Sequence, residues 1–392
     1  FAKNRSRPHN PAKLPLDFIQ CGAYHLREAF AAQPIKVGVV NTLAFKIEDF
    51  VEALQRQLTR SFDFKIEVIR ERKVRVLSLE NVEAALRVME KEQPDLILAF
   101  LPDATPTQPD TADLPAFVKS LSLGRGIPAH VLAQTTLDDP DAMPGIIMAI
   151  LARTGNTPFA LADPLEFADY VVGLDLVRQR SKTALSRVTA IARIYRADGA
   201  FVRYAVRNAE LSSDAPPYVL LRDVFPQRDF AGKRVVLHHE GRMTDALRQA
   251  MTGWAQAIQA TFYPVELIRK GAPRLYAFAD NRVQAPPWGS TLQLNAHEGF
   301  AVLAFDDDGS DGERDTRAKV AATPTPQPLH IVAGGITLAQ ALRSLQLWTL
   351  LYYGVADAPR LPVTLYGAGE LAYWLRKGGQ ISTLEGEAPF WL

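Results

Sequence analysis

The sequence predicts an α/β protein in which a doubly wound parallel-sheet domain is followed by a domain with a mixed sheet. Two observations support this prediction. In the first part of the chain, short apolar strands alternate with amphipathic helices of about ten to fifteen residues, which is typical of parallel βαβ units. Past Pro164, long strands joined by a tight turn replace this alternation, which is typical of an antiparallel meander.

The parallel sheet is expected over residues 35–165, after an N-terminal leader, residues 1–34, with one short helix near AYHLREAF. Strands and helices alternate in the order KVGVVN, IEDFVEALQRQL, FKIEVIR, ENVEAALRVMEKEQ, DLILAFLP, LPAFVKSLSLG, PAHVLAQT and PGIIMAILARTG. This order predicts a Rossmann-like sheet with helices on both faces. No G-x-G-x-x-G follows the first strand, and the chain has no P-loop motif, so neither type of nucleotide site is expected.

The mixed sheet is expected over residues 166–392. Its predicted elements are the strand DYVVGLDLV, two strands meeting at Ala197 to Gly199, the strand KRVVLHHEG, a helix from Met243 to about Phe262, the strand YPVELIRK, a charged loop at 306–317 and the helix ITLAQALRSLQLWTLLYYG. Three antiparallel strands opening a mixed sheet, with a carboxylate, Asp175, on the first, are the layout of a ribonuclease-H-like fold.

Length and composition exclude several classes of protein. A chain of 392 residues has room for two domains of ordinary size. Cys21 is the only cysteine, so an internal disulfide or a cysteine zinc site is excluded and a reducing, cytoplasmic setting is expected. No stretch approaches the roughly 18 apolar residues of a membrane span, and the N-terminus does not resemble a signal peptide.

The charge distribution is more informative than the net charge of +1, which argues against a uniformly basic surface. Residues 178–207 contain eight basic residues and one acid, Asp198. On strands, alternate members of such a run share a face and could follow a phosphate backbone. A solvated face would give the same pattern. The basic residues are Arg178, Arg180, Lys182, Arg187, Arg193, Arg196, Arg203 and Arg207.

Two polar features lie on predicted strands of the second domain. Asp175 interrupts an apolar run, where a buried carboxylate would hold a metal ion or accept hydrogen bonds from a neighbouring turn. The run HHEGR ends another strand, where Glu240 could bind metal and Arg242 could bind phosphate. Its two histidines, His238 and His239, point to opposite faces and do not suit one ion.

A third polar group is predicted in the first domain, at helix and strand ends of its second half. Lys119, His130, Gln134 and Arg153 lie there. Ligands favour the carboxyl ends of parallel strands, so these side chains would suit a phosphate if they meet. Each of them alone would be an ordinary surface residue.

Together these segments resemble the MID and PIWI domains of Argonaute proteins over roughly residues 35–392. The matching runs are IPAHVLAQTTL, ILARTGNTPFAL, VVGLDLV, VVLHHEGR, VELIRKGAPRLYAF, PTPQPLHI, LPVTLYGAGELAYW and the terminal PFWL. The chain is too short for the remaining Argonaute lobes, so it is similar to short prokaryotic Argonautes. This resemblance implies a short guide RNA whose 5′ phosphate is held in the MID pocket and which captures complementary single-stranded DNA.

The resemblance also assigns residues to the guide pocket. The family's glutamine falls on His130, its first lysine on or near Lys119 and its later lysine on Arg153, with Gln134 beside them. A Mg²⁺ ion would be held with the guide phosphate by the C-terminal carboxylate of Leu392. The aromatic residue expected about four positions before Lys119 is here Pro115.

Cleavage is not expected from the matching catalytic positions. The family's four metal-binding residues fall on Asp175, Glu210, Glu240 and Gly369, and glycine offers no side-chain ligand. Arg178, Arg180, Lys182 and Arg242 are expected along the nucleic-acid backbone. We therefore expect a guide-binding protein without cleavage activity of its own.

The resemblance further implies defence against plasmids or phage through a separate effector. That partner would carry a domain resembling the missing N-terminal lobe (an APAZ domain) fused to a TIR, sirtuin-like or nuclease domain. Two other hypotheses stay open. One is a metal-dependent nuclease acting through Asp175, Glu210 and Glu240, and the other is a two-domain protein that binds a small anionic ligand.

Overall fold

The computed structural model describes residues 13–43, 47–103, 114–139, 141–179, 186–211, 216, 218–303, 328–353, 361–366 and 384–388. These residues divide into two compact units. The first unit contains the described residues up to Ala162, together with Tyr353 and residues 384–388. The second contains Asp163 to Tyr352 and residues 361–366.

The first unit is built on a four-stranded parallel sheet. Its strands are β1 (Ile35–Asn41), β2 (Ile66–Lys73), β3 (Leu96–Leu101) and β4 (Ala129–Ala133), in the order β2-β1-β3-β4. All six residues of β3 are buried, as expected for a central strand covered on both faces. The parallel α/β sheet predicted from the alternating pattern is therefore confirmed.

Seven helices accompany this sheet in the part of the unit that the structure describes. They are α1 (Leu14–Cys21), α2 (Ala29–Ala32), α3 (Glu48–Phe62), α4 (Leu79–Glu92), α5 (Leu114–Arg125), α6 (Gln134–Asp138) and α7 (Met143–Arg153). Helix α1 was not predicted. Its Phe18 is fully buried and stacks on Phe62 at 4.8 Å between ring centroids, so this part of the presumed leader belongs to the core.

The second unit contributes eight strands to a mixed sheet. The strands are β5 (Tyr170–Gln179), β6 (Ser186–Arg196), β7 (Phe201–Leu211), β8 (Arg234–Glu240), β9 (Thr261–Ile268), β12 (Thr291–Asn295), β13 (Glu298–Ala301) and β14 (Leu329–Ala333). Their order in the sheet is β12-β13-β14-β9-β8-β5-β6-β7. β5, β6 and β7 are antiparallel, whereas β5, β8 and β9 run parallel. This mixed sheet confirms the ribonuclease-H-like layout.

The remaining described elements are short strands and four helices. β10 (Ala277–Ala279) and β11 (Arg282–Gln284) form a separate hairpin, and β15 is Leu384–Gly386. The helices are α8 (Tyr218–Val224), α9 (Gln227–Phe230), α10 (Asp245–Ala257) and α11 (Leu338–Leu350). Thr337 and Gln340 form a capping box at the start of α11, each side chain bonding the other residue's backbone.

Helix α10 ends five residues earlier than predicted, at Ala257 rather than about Phe262. The prediction was wrong because Thr261–Ile268 pairs in parallel with β8, and that pairing outweighs the local helical pattern. The predicted charged loop at 306–317 lies outside the described residues. Within the described part of the chain, no helix is long and apolar enough to cross a membrane.

Candidate nucleic-acid interface

Asp175 lies in the middle of β5 and is neutralised by an arginine of the neighbouring strand. Its Oδ2 accepts a hydrogen bond from Nη1 of Arg193 on β6 at 2.8 Å, and both residues are buried. The same Nη1 also donates to the backbone oxygen of Thr364 at 2.9 Å. Burial raises the pKa of Asp175, whereas the charge and hydrogen bond of Arg193 lower it.

Glu240, at the end of β8, has a comparable partner. Its Oε1 lies 2.8 Å from Nε of Arg269, which follows β9. Burial raises the pKa of Glu240, Arg269 opposes that shift, and the negative charge of Asp175 adds to it. The two carboxylates therefore share one electrostatic environment, and each has a guanidinium group as its ion-pair partner.

The adjacent histidines point in different directions, as the strand geometry predicts, and both are buried. His238 is fully buried, with Nδ1 2.8 Å from Oγ1 of Thr364 and Nε2 3.0 Å from Oγ of Ser344. His239 Nδ1 donates to the backbone oxygen of Leu174 at 2.9 Å. Both histidine rings thus form hydrogen bonds with other segments of the second unit.

Burial lowers the pKa of His238 to about 3, which couples the stability of the second unit to pH. In the unfolded chain this imidazole takes up a proton near pH 6.5, whereas in the folded chain it stays neutral down to about pH 3. Acidification therefore favours unfolding across that interval. The contribution of His238 should fall by about 2 kcal/mol between pH 7 and pH 5.

Urea unfolding at the two pH values, followed by circular dichroism, measures this effect. The variant His238→Gln should lose part of the pH dependence, whereas Lys36→Gln, an exposed residue of the first unit, should keep it. An unchanged pH slope in His238→Gln would contradict the assignment.

Glu210 lies on β7 and is exposed, away from Asp175. Asp175 pairs with Ile191, and Ile191 pairs with Val206, so Glu210 is four residues further along β7 and two strands away. At about 3.3 Å per residue and 4.8 Å between strands, that offset is roughly 16 Å. The described β7 therefore does not bring Glu210 to Asp175.

The predicted backbone contacts are only partly described. Arg178 and Arg242 are exposed, and Arg180, Lys182, Gly369 and Leu392 lie outside the described residues.

The basic run does not form one exposed stripe in its described part. Arg193 and Arg203 are both buried. Arg193 pairs with Asp175 at 2.8 Å, and Arg203 pairs with Asp229 at 3.0 Å.

In the first unit, the structure brings three of the four predicted pocket residues together. His130 lies on β4 and is 2% exposed, and neither of its ring nitrogens has a hydrogen-bond partner in the described part of the protein. Burial lowers its pKa well below the usual value, and the positive charges of Arg153 and Lys119 lower it further. Gln134, by contrast, is exposed at the first residue of α6.

Arg153 ends α7 and is buried at 4% exposure, with Nη1 donating to the backbone oxygen of Ala149 at 3.1 Å. Lys119 lies on α5 and is half-buried. Two cations therefore lie near enough to a buried imidazole to disfavour its protonated form. An anion with several acceptor oxygens is the ligand that such a site would stabilise.

No family model matches the chain. An Argonaute of Aquifex aeolicus strain VF5 is 22% identical over 384 residues, covering 95% of this chain and 52% of that protein. A solved structure of Aquifex aeolicus Argonaute superposes with a TM-score of 0.79 at 19% identity, covering 96% of this chain and 54% of the other. Clostridium butyricum Argonaute, bound to a guide DNA and a 19-mer target DNA, gives 0.70 at 14% identity, covering 100% and 53%.

The chain is an Argonaute homologue. It spans about half the length of the Argonautes it matches, and its two sheets correspond to the MID and PIWI folds that the sequence predicts. The predicted resemblance and fold class are thereby confirmed.

The predicted catalytic positions that the structure describes do not form a cluster of metal ligands. Among the described residues there is no group of three or more His, Cys, Asp or Glu side chains that could hold a metal. Asp175 and Glu240 each bind an arginine instead. Leu392, whose C-terminal carboxylate is expected to hold Mg²⁺, lies outside the described residues.

The arginine partners of the two carboxylates are not evident from the sequence. Arg193 is one member of a basic run, and no sequence pattern distinguishes Arg269. In the observed register Arg193 lies opposite Gly173 and hence diagonal to Asp175, within reach of a long side chain. The alternation of side chains on β5 and β6 predicts this pairing only when the register between the two strands is known.

Proposed function

We propose that this chain binds a short 5′-phosphorylated guide RNA in its first unit and uses the guide to recognise complementary single-stranded DNA. The observation that carries the proposal is the convergence of Lys119 and Arg153 on the buried His130. Both cations disfavour protonation of the imidazole, so the charges that act on His130 are positive. A terminal phosphate would attract both cations and accept a hydrogen bond from the N–H group of the neutral His130 ring.

The proposed site lies on the edge strand β4 of the parallel sheet. His130 is the second of the five residues of β4, at the level of Leu98 in β3, and α6 begins directly after β4. A small free anion would also fit this chemistry. Measurements of nucleic-acid binding distinguish that competing hypothesis from guide binding.

Two solved relatives are described as nucleic-acid complexes, which supports a polymeric ligand. One is Aquifex aeolicus Argonaute with externally bound siRNA, with a TM-score of 0.77 at 18% identity. The other is the Clostridium butyricum complex with guide and target DNA. The exposed Arg178 and Arg242 of the second unit, with Arg180 and Lys182, would contact the phosphate backbone in this proposal.

We propose target recognition without cleavage. Glu210 lies far from Asp175, Gly369 has no side-chain ligand, and Asp175 and Glu240 are paired with arginines. The competing hypothesis, a metal-dependent nuclease acting through Asp175, Glu210 and Glu240, predicts cutting of a labelled target by guide-loaded protein with Mg²⁺ or Mn²⁺. Cutting that is lost in Asp175→Ala would establish that hypothesis and exclude ours.

We further propose that a partner chain supplies the response in defence against plasmids or phage. This partner would carry a lobe equivalent to the half of the Argonautes that this chain does not match, an APAZ domain, fused to a TIR, sirtuin-like or nuclease effector. A surface for it is available on the second unit. All five residues of the edge strand β12 are exposed, and Phe278 of β10 is 71% exposed. Edge strands of this kind pair readily with another chain.

The substitutions Leu292→Lys and Leu294→Lys on β12 should therefore reduce recovery of the partner by affinity purification by about tenfold, since buried charge opposes docking. The matched change Val76→Lys, at an exposed residue of the first unit, should leave recovery unchanged. Equal recovery with the β12 variants would exclude this surface.

One experiment tests the guide proposal directly. The protein is purified from its native cells, and the bound nucleic acid is sequenced after its ends are analysed chemically. Short RNA with 5′ phosphates is the expected result. Absence of such RNA, together with equal affinity for 5′-phosphorylated and 5′-hydroxyl RNA, would exclude the proposal.

A further inference from the structure

We propose that Arg193 and Arg269 take the place of divalent cations in the second unit, so that Asp175 and Glu240 form an arginine-neutralised centre that binds no metal. This inference concerns the second unit alone and does not rest on guide binding.

Arg193 links two parts of the second unit that are far apart in the sequence. Its Nη1 lies 2.8 Å from Oδ2 of Asp175 on β5 and 2.9 Å from the backbone oxygen of Thr364. Thr364 belongs to the buried segment 361–366, which directly precedes the part of the chain containing Gly369. One guanidinium group therefore joins the central strand to the segment that leads to the fourth catalytic position.

The burial of this pair makes it hard to replace. Arg193 is 1% exposed and Asp175 is 7% exposed, so neither charge has bulk water to compensate for loss of the other. A divalent ion that displaced Arg193 from Asp175 would leave a guanidinium group buried without its carboxylate. A divalent ion that joined both would face the positive charge of Arg193 at short range.

Arg269 completes the centre from the other side. Its Nε lies 2.8 Å from Oε1 of Glu240, and its side chain is 42% exposed. Arg269 also lowers the pKa of Asp175, which shows that its charge reaches both carboxylates. Two carboxylates are thus matched by two guanidinium groups, and the local charge is balanced without metal.

The test is a Mn²⁺ titration of the full chain without guide, followed by electron paramagnetic resonance of free Mn²⁺. The protein should show no Mn²⁺ site that depends on Asp175 or Glu240, so Asp175→Asn and Glu240→Gln should leave the titration unchanged. A Mn²⁺ site that disappears in either variant would overturn the proposal.

Removing the arginines should open the centre to metal. Arg193→Gln combined with Arg269→Gln should gain Mn²⁺ affinity by at least about tenfold, and adding Asp175→Asn should abolish the gain. Arg222→Gln, a surface arginine paired with the exposed Asp223, is the matched control and should gain nothing.

Because the buried Arg193 variant can fail to fold, Arg269→Gln alone is measured in parallel. Its arginine is partly exposed, and a smaller, Glu240-dependent gain is expected. If folded variants gain no Mn²⁺ affinity, the arginines are not the groups that exclude metal, and the proposal fails. This readout involves no nucleic acid, so it is independent of the outcome for guide binding.

Discussion

Gly173→Ala should lower the free energy of unfolding of the second unit by about 3 kcal/mol or more. Gly173 lies on β5, and a β-carbon placed there would come within 1.9 Å of the backbone oxygen of Thr364 and 2.5 Å of its carbonyl carbon. Backbone atoms cannot turn aside as a flexible side chain can. Either β5 or segment 361–366 must move, and the bonds from Arg193 and His238 to Thr364 would be disturbed.

Chemical unfolding monitored by circular dichroism measures this loss, and the same substitution at another glycine provides the control. Gly253 lies inside α10, where a β-carbon would meet nothing within 4 Å. Gly253→Ala should stabilise the unit by about 0.5 to 1 kcal/mol, because alanine is the better helix former. Similar stabilities for the two variants would mean that Thr364 does not lie against Gly173.

Lys119→Glu should weaken binding of a 5′-phosphorylated guide RNA by about 100-fold. The change removes one of the two cations that converge on His130 and adds a charge that repels the phosphate. Fluorescence anisotropy with labelled RNA at several salt concentrations gives the affinity. The plot of log affinity against log salt should also become shallower, because fewer counterions are released.

Lys36→Glu is the matched control, since it makes the same charge change in the same unit. Lys36 is exposed near the start of β1, and it is not among the charges that lower the pKa of His130. Lys36→Glu should change the affinity for 5′-phosphorylated guide RNA by no more than about threefold. RNA with a 5′ hydroxyl should bind Lys119→Glu and the unmodified protein with similar affinity. Equal loss for both RNAs would mean that Lys119 acts on the backbone, not on the terminal phosphate.

The fold could be predicted from the sequence because its dominant signal is local. The alternation of apolar strands and amphipathic helices placed β1 to β4, and the long strands around Gly199 placed β5 to β7. Helix α1 was missed because its burial depends on a distant aromatic residue, Phe62. The end of α10 was missed because strand pairing with β8 overrides a helical pattern.

The candidate site could be predicted only in part. His130 lies on a strand and Arg153 at the end of a helix, and the local sequence pattern predicts both elements. The partners of Asp175 and Glu240 depend on strand register and on chain segments far apart, such as Arg193 and Thr364. A sequence pattern reports that a charge is buried, but not which counter-charge meets it.

The contact between Arg193, Asp175 and Thr364 also limits how this chain can change over evolutionary time. A carboxylate at position 369 would supply one metal ligand. Asp175 and Glu240 would still be paired with Arg193 and Arg269. If Arg193 is replaced first, the buried Asp175 loses its ion-pair partner. If Arg193 is replaced last, a carboxylate at position 369 has no metal to bind until then. Under the proposed arginine neutralisation, a metal-binding form of this centre therefore needs changes at both Arg193 and Arg269, because each arginine pairs with a different carboxylate.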